Sequence, residues 1–188
     1  VLKWALFVPL ACWGILGYML FQWLAFGAPL AFAKTQAHWR IRPGVSLGEQ
    51  AISLMTLEPI WSVYDPSSPC YWRLHESDGN AVFSMQFANP IYFVATAALI
   101  VFGGIRGWLN RNELALAAGL LLIPYVTRSH EMCMGSMGRF AAVAFPAYLV
   151  LGHILARMPG PAAALVLAIS GFWMGIYAAL FAAWYRVF

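Results

Sequence analysis

The stretch from Pro161 to Tyr185 carries no charged side chain, and it constrains the fold more than any other feature of the chain. A helix of about 20 apolar residues crosses the hydrocarbon core of a bilayer. There every backbone polar group must be satisfied within the helix itself. Four further apolar blocks precede this one: Trp4–Phe26, Ile91–Leu109, Leu114–Thr127 and Phe140–Ala156. Hydrophobic residues make up 62% of the 188 positions and charged residues 10%. A soluble domain is nearer half apolar and a quarter charged. The expected fold class is therefore all-α, a polytopic membrane protein with about five transmembrane helices in one membrane domain, residues 1–188. The spans are placed near 4–26, 90–109, 113–127, 139–157 and 161–186.

The formal net charge is +4, but Lys3, Arg106, Arg111, Arg128, Arg157 and Arg186 stand singly at the ends of apolar blocks. Such charges anchor helix ends at headgroups, and no basic run suggests nucleic acid as a partner. The first block is too long for a signal peptide and lacks a basic start and a small-residue cleavage site. Three cysteines make no framework. Cys12 lies inside an apolar block, whereas Cys70 and Cys133 fall on the same side of the expected topology, where a disulfide is conceivable.

Residues 28–89 differ in kind, with five of the seven acidic side chains: Glu49, Glu58, Asp65, Glu76 and Asp78. Pro29–Arg40 alternates apolar and polar residues at helical spacing. Ser46-Leu47-Gly48-Glu49 is a capping-box pattern that opens a second amphipathic helix, with Pro59 as its stop. Both read as helices lying in the membrane interface within one long loop. Asp65–Pro69 and Ser77–Asn80 are dense in turn residues. Five spans put the long loop, Thr127–Arg139 and the C-terminus on one side. Arg106, Arg111 and Arg157 fall in short connections on the other, which favours the cytoplasm. The long loop is then extracytoplasmic, although the raw count of lysines and arginines favours the reverse.

The segment Thr127–Arg139 places Arg128, His130, Glu131 and Arg139 between two short apolar blocks. Charges at membrane depth line a cavity or meet a partner, and an arginine pair there suits a phosphate. The bland alternative is an interfacial loop with snorkelling arginines. His130, Cys133 and Met134 are soft enough donors for a metal, but their spacing matches no strong metal motif. His153 lies within a span as a candidate haem or pigment contact, with no second ligand in view. No cofactor is expected. Glu131 is the carboxylate best placed for acid–base work.

Two sequence patterns carry a family resemblance. The first is Pro29-Leu30-Ala31-Phe32 with Gln36 and Trp39 following. The second is Ser136-Met137-Gly138-Arg139-Phe140 leading to Phe145-Pro146. Together they resemble the mannosyltransferases that add the second mannose to GPI anchors, and more closely their bacterial relatives, which are GT-C-type glycosyltransferases. The resemblance covers most of this chain and the C-terminal half of such an enzyme. It implies a polyprenyl-phosphate sugar donor used at the extracytoplasmic face of a bacterial inner membrane. It also implies that Gln36 and Trp39, with Lys34 nearby, shape a cavity rim and that Arg139 faces the lipid phosphate. The chain departs from the pattern in three ways. The catalytic carboxylate loop has no counterpart, Phe140 stands where tyrosine is usual, and the insert Tyr64–Asn80 is long. The chain alone is expected to be inactive as a transferase. The alternative reading is a non-catalytic transmembrane subunit of a larger respiratory or photosynthetic complex, with membrane lipids and other subunits as partners.

Overall fold

The computed structural model describes residues 8–36, 40–42, 44–75 and 80–182. All regular structure among them is helical, with no strand. The chain divides into two units, residues 1–40 and 41–188.

In the first unit, α1 (Val8–Phe26) ends where Gly27 adopts φ 66°, the left-handed cap that glycine takes without penalty. The Gly27 amide closes the turn on the Trp23 carbonyl at 2.8 Å. A short α2 (Ala31–Gln36) follows, and Phe32 packs on Tyr18 with ring centroids 5.6 Å apart. Gln22, the one polar interruption of this block, is buried and donates to the Tyr18 hydroxyl at 2.9 Å. The interfacial helix expected over 29–40 is described only over Ala31–Gln36.

The second unit opens with α3 (Leu47–Met55), whose capping box forms as the sequence suggests. Ser46 Oγ accepts from the Glu49 amide, and Glu49 accepts from the Ser46 amide at 3.0 Å. Its stop differs from expectation. The helix ends at Thr56, and Leu57 takes φ 55°. Pro59 instead sits in the first turn of α4 (Glu58–Trp61), where its missing N–H costs nothing. Short 3₁₀ turns follow at Ser62–Tyr64 and Trp72–His75.

Three apolar blocks take bounds that differ from the sequence reading. α5 (Met85–Ile105) begins before Asn89-Pro90 rather than after it, because Ser84 caps the Phe87 amide at 2.9 Å. Pro90 lies inside the helix, where it removes a single backbone bond. α6 (Arg111–Pro124) starts earlier than expected because Asn110 and Glu113 make a second capping box. It continues as a π turn over Tyr125–Ser129. The block expected as one span over 139–157 is two helices, α7 (Met137–Ala142) and α8 (Phe145–Leu155). The ring of Pro146 excludes the carbonyl four residues earlier, that of Ala142, and the helix breaks there. α9 (Gly160–Ala182) is uninterrupted.

Among the described residues, two helices are long and apolar enough to cross a membrane by themselves, α5 and the Gly160–Ala179 part of α9. α5 packs against α6, α7 and α8. The core contains Phe93, Ile100, Leu109, Leu121, Tyr125, Met137 and Val150. Phe93 stacks on Tyr125 at 5.2 Å. Gly103 is the point of closest approach between α5 and α8: a Cβ there would overlap Val150 Cγ2, which is fully buried on a stiff β-branched side chain. Gly103→Ala is therefore expected to cost about 1–3 kcal/mol through overpacking. Thermal denaturation in detergent measures it, and a Val150→Ala partner change should recover part of the loss. By contrast, no described residue in the apolar span of α9 is fully buried; Leu165, Leu167, Ile169, Phe172 and Met174 are exposed, and Tyr177 is half-buried with its hydroxyl 3.5 Å from the Val82 carbonyl.

Candidate functional site

The helices α5 to α8 end in two chemically different regions. At one, Trp108 lies 5.4 Å from Phe102 and 5.3 Å from the His153 ring, and the Arg157 guanidinium covers Trp108 at 4.5 Å. Arg157 also donates to the His153 carbonyl at 2.9 Å. His153 thus lies in the last turn of α8, in an aromatic and basic cap of the kind found at headgroup level.

The other end is built on the segment after α6. His130 is buried and Ser129 fully so. The Glu131 carbonyl accepts from the Ile41 and Arg42 amides at 2.9 and 3.1 Å, which ties the start of this unit to the segment. Arg42 then makes a two-pronged ion pair with Glu58: Nη2 to Oε1 at 2.6 Å and Nη1 to Oε2 at 2.8 Å. Ser53 Oγ, on α3, donates to Glu58 Oε2 at 2.7 Å and stands 2.9 Å from His130 Nδ1. Arg42 Nη1 is 3.3 Å from the same nitrogen.

Proton bookkeeping limits how this cluster is wired. Ser53 has one hydroxyl hydrogen, and Glu58 takes it. If Nδ1 carries a hydrogen, it donates to Ser53 Oγ; if not, it accepts from Arg42 Nη1. In both cases His130 Nε2 is buried without a partner among the described residues, as is Arg42 Nε.

Burial raises the Glu58 pKa, but hydrogen bonds from Arg42 and Ser53 and the Arg42 charge outweigh it and hold the carboxyl at about 2. Burial lowers the His130 pKa, and the Arg42 charge lowers it further, against weaker opposition from Glu58, Glu131 and Glu49. His130 is thus neutral at pH 7 in the folded chain. The unfolded chain takes up a proton near the ordinary histidine value of 6.5, so this contribution to stability is lost as pH falls below it. The Glu58 contribution is present above the ordinary glutamate value of 4.5 and is lost as pH falls toward about 2. The melting temperature in detergent should therefore fall in two stages between pH 7 and pH 3. His130→Asn should flatten the upper stage alone; an unchanged profile in that variant would refute the assignment.

The backbone beyond His130 is strained. Cys133, Met134 and Ser136 have φ of 48°, 61° and 65°, a conformation that costs non-glycine residues free energy and persists only where surroundings enforce it. Three restraints enforce it. Cys133 is bonded to Cys70, with Cα atoms 5.2 Å apart. The Cys133 carbonyl accepts from Gln86 Nε2, and Asn89 Oδ1 accepts from the Gly138 amide at 2.9 Å. Gly138 has no room for a side chain, since a Cβ would stand 2.6 Å from Asn89 Oδ1.

Of the residues singled out by sequence, the buried His130 joins the half-buried Arg42–Glu58–Ser53 cluster, and the Glu131 carbonyl holds the Arg42 amide beside it. Arg128 is half-buried in the π turn, and Arg139 is exposed in the first turn of α7. Lys34 is exposed in the last turn of α2, and Gln36 closes that helix, in the other unit. Trp39 lies outside the described residues. The disulfide removes Cys133 from any metal-ligand set, and Met134 is fully buried in the core. No group of three or more His, Cys, Asp or Glu side chains stands ready for a metal among the described residues. Sequence reasoning missed Arg42, Ser53 and Glu58. Their one local signal is the Glu-Pro pair that opens α4, which reads as helix punctuation. Comparison with protein families, curated proteins and solved structures finds no match to this chain.

Proposed function

We propose that this chain is the C-terminal part of a GT-C-type glycosyltransferase that uses a polyprenyl-phosphate sugar, mannosyltransferase-like in its resemblances. In this reading it is a polytopic protein of a bacterial inner membrane, crossing it about five times. α1, α5, α6, the broken pair α7–α8, and α9 are the crossings. Residues 28–89 lie on the extracytoplasmic side.

The observation that carries the reading is the half-buried Arg42–Glu58–Ser53 cluster built on the buried His130. It fastens the segment bearing Arg128 and Arg139 to the polar loop, at one end of an otherwise apolar helix group. Ion pairs of this kind are expensive to bury and hold a polar face rigid where a lipid-linked phosphate would arrive. The Cys70–Cys133 bond supports the orientation, because disulfides persist in oxidising compartments. The bare apolar surface of α9 favours a second reading, an accessory subunit packed against other membrane chains.

The test is transfer of labelled mannose from a polyprenyl-phosphate donor, using the natural full-length protein in membranes. Transfer that falls at least tenfold in Arg139→Ala, with protein level unchanged, supports the transferase reading. Absence of transfer, together with stoichiometric co-purification of other membrane subunits, would replace it with the accessory reading.

A further inference from the structure

The Trp108 end of the helix group is basic, with no acid to balance it. Arg106 closes α5, Arg111 opens α6 and Arg157 follows α8. All three are exposed, and none makes an ion pair among the described residues. The nearest carboxylate in sequence, Glu113, is taken up in the capping box of α6, where it accepts from the Asn110 amide at 2.7 Å.

Local backbone geometry fixes the arrangement. Gly107 takes φ 67° after α5, and the chain turns back so that the Trp108 amide donates to the Gly103 carbonyl at 2.9 Å. This sets the Trp108 ring against Phe102 at 5.4 Å. The Arg106 guanidinium lies over Phe102 at 5.3 Å and that of Arg157 over Trp108 at 4.5 Å. Two flat cations from different connections of the chain are thus held on one pair of rings. Like charges gathered in this way call for a counter-anion from outside the chain.

Exposed apolar side chains beside the arginines indicate what carries that anion. Ile105 directly precedes Arg106, Val101 lies one turn earlier on α5, and Leu116 lies in the second turn of α6; all three are exposed. A soluble acidic partner would leave them in water. A lipid places its phosphate on the guanidinium groups and its chains on the apolar side chains. We propose that Arg106, Arg111 and Arg157 seat the phosphate of an anionic phospholipid, with Phe102 and Trp108 positioning Arg106 and Arg157. The proposal rests on the membrane-crossing reading and not on transferase activity. An attached ammonium cancels part of a headgroup's charge, so phosphatidylglycerol is favoured over phosphatidylcholine.

The test reads lipid retention. The full chain is placed in phosphatidylcholine nanodiscs containing a minor fraction of phosphatidylglycerol and released into mild detergent. Bound lipid is then identified by native mass spectrometry. At a factor of about five for each arginine near the surface, two arginines on one headgroup should enrich phosphatidylglycerol about 25-fold over its share of the nanodisc. Arg106→Gln/Arg111→Gln/Arg157→Gln should return the ratio to that of the nanodisc, with the melting temperature showing that the chain is folded. Trp108→Leu keeps every charge but removes the ring under Arg157, and should lower the enrichment about fivefold. Enrichment that survives the arginine changes overturns the proposal. Enrichment untouched by Trp108→Leu reduces the seat to diffuse surface charge and overturns it too. So does displacement of the lipid by excess inorganic phosphate, which would give the site to a soluble anion. A chain that does not enter nanodiscs refutes the membrane-crossing reading as well; a chain that enters without enrichment refutes this proposal alone.

Discussion

Cys70→Ser/Cys133→Ser should unfold about 4 kcal/mol more easily than the parent chain, the loop-closure value for a link spanning 63 residues. Both cysteines are fully buried, and Trp72, two residues beyond Cys70, is buried in the core. Without the bond, the left-handed run at Cys133, Met134 and Ser136 keeps only the Gln86 and Asn89 restraints. Denaturant titration in detergent gives the free energy. Thiol counting on the denatured parent gives the chemistry: of three cysteines, one should react before reduction and three after. Three reactive thiols before reduction, or an unshifted titration, would rule the bond out.

Glu58→Ala should cost about 3 kcal/mol or more, because it strands the Arg42 guanidinium in a site where its side chain is only 13% exposed. The loss also removes the acceptor of Ser53, and with it the reason Ser53 presents its oxygen to His130. Replacing the pair together, Arg42→Met with Glu58→Leu, should recover most of the stability, since apolar side chains fill such sites at no charge cost. The double-mutant cycle isolates the coupling. Additive single losses would mean that the ion pair contributes nothing beyond its separate contacts.

Local signals in the sequence were legible and long-range ones were not. The Ser46–Glu49 capping box depends on four consecutive residues and forms as read. The apolar blocks are equally local, and over their described residues each is mostly helical. Their bounds moved where a cap competed with a proline: Ser84 starts α5 ahead of Pro90, and Pro146 splits the fourth block. The segment around His130 was visible because charge amid apolar residues is conspicuous. Its partners were not, since Arg42 lies 88 positions away in the chain and Ser53 lies 77. Nothing in the periodicity of α3 or α4 marks Ser53 and Glu58 as inward-facing partners of a distant histidine. The expected topology makes a Cys70–Cys133 bond no more than conceivable, and only the fold, which brings the two together, shows it.

The bare surface of α9 sets different rules for mutation along the chain. Around Val150 and Gly103, shape governs, and one methyl group is felt. If α9 crosses a bilayer as proposed, transfer from water to hydrocarbon governs its exposed face, where Leu165, Leu167, Ile169, Phe172 and Met174 point away from the chain, whereas Tyr177 reaches the Val82 carbonyl at 3.5 Å. A substitution library should therefore find α9 almost indifferent to exchanges among leucine, isoleucine, valine and phenylalanine. One lysine or aspartate near its centre should be rejected at about 2.5–3.5 kcal/mol. Related sequences would then drift freely there while keeping the same oiliness, so α9 would be the stretch in which common ancestry is erased first.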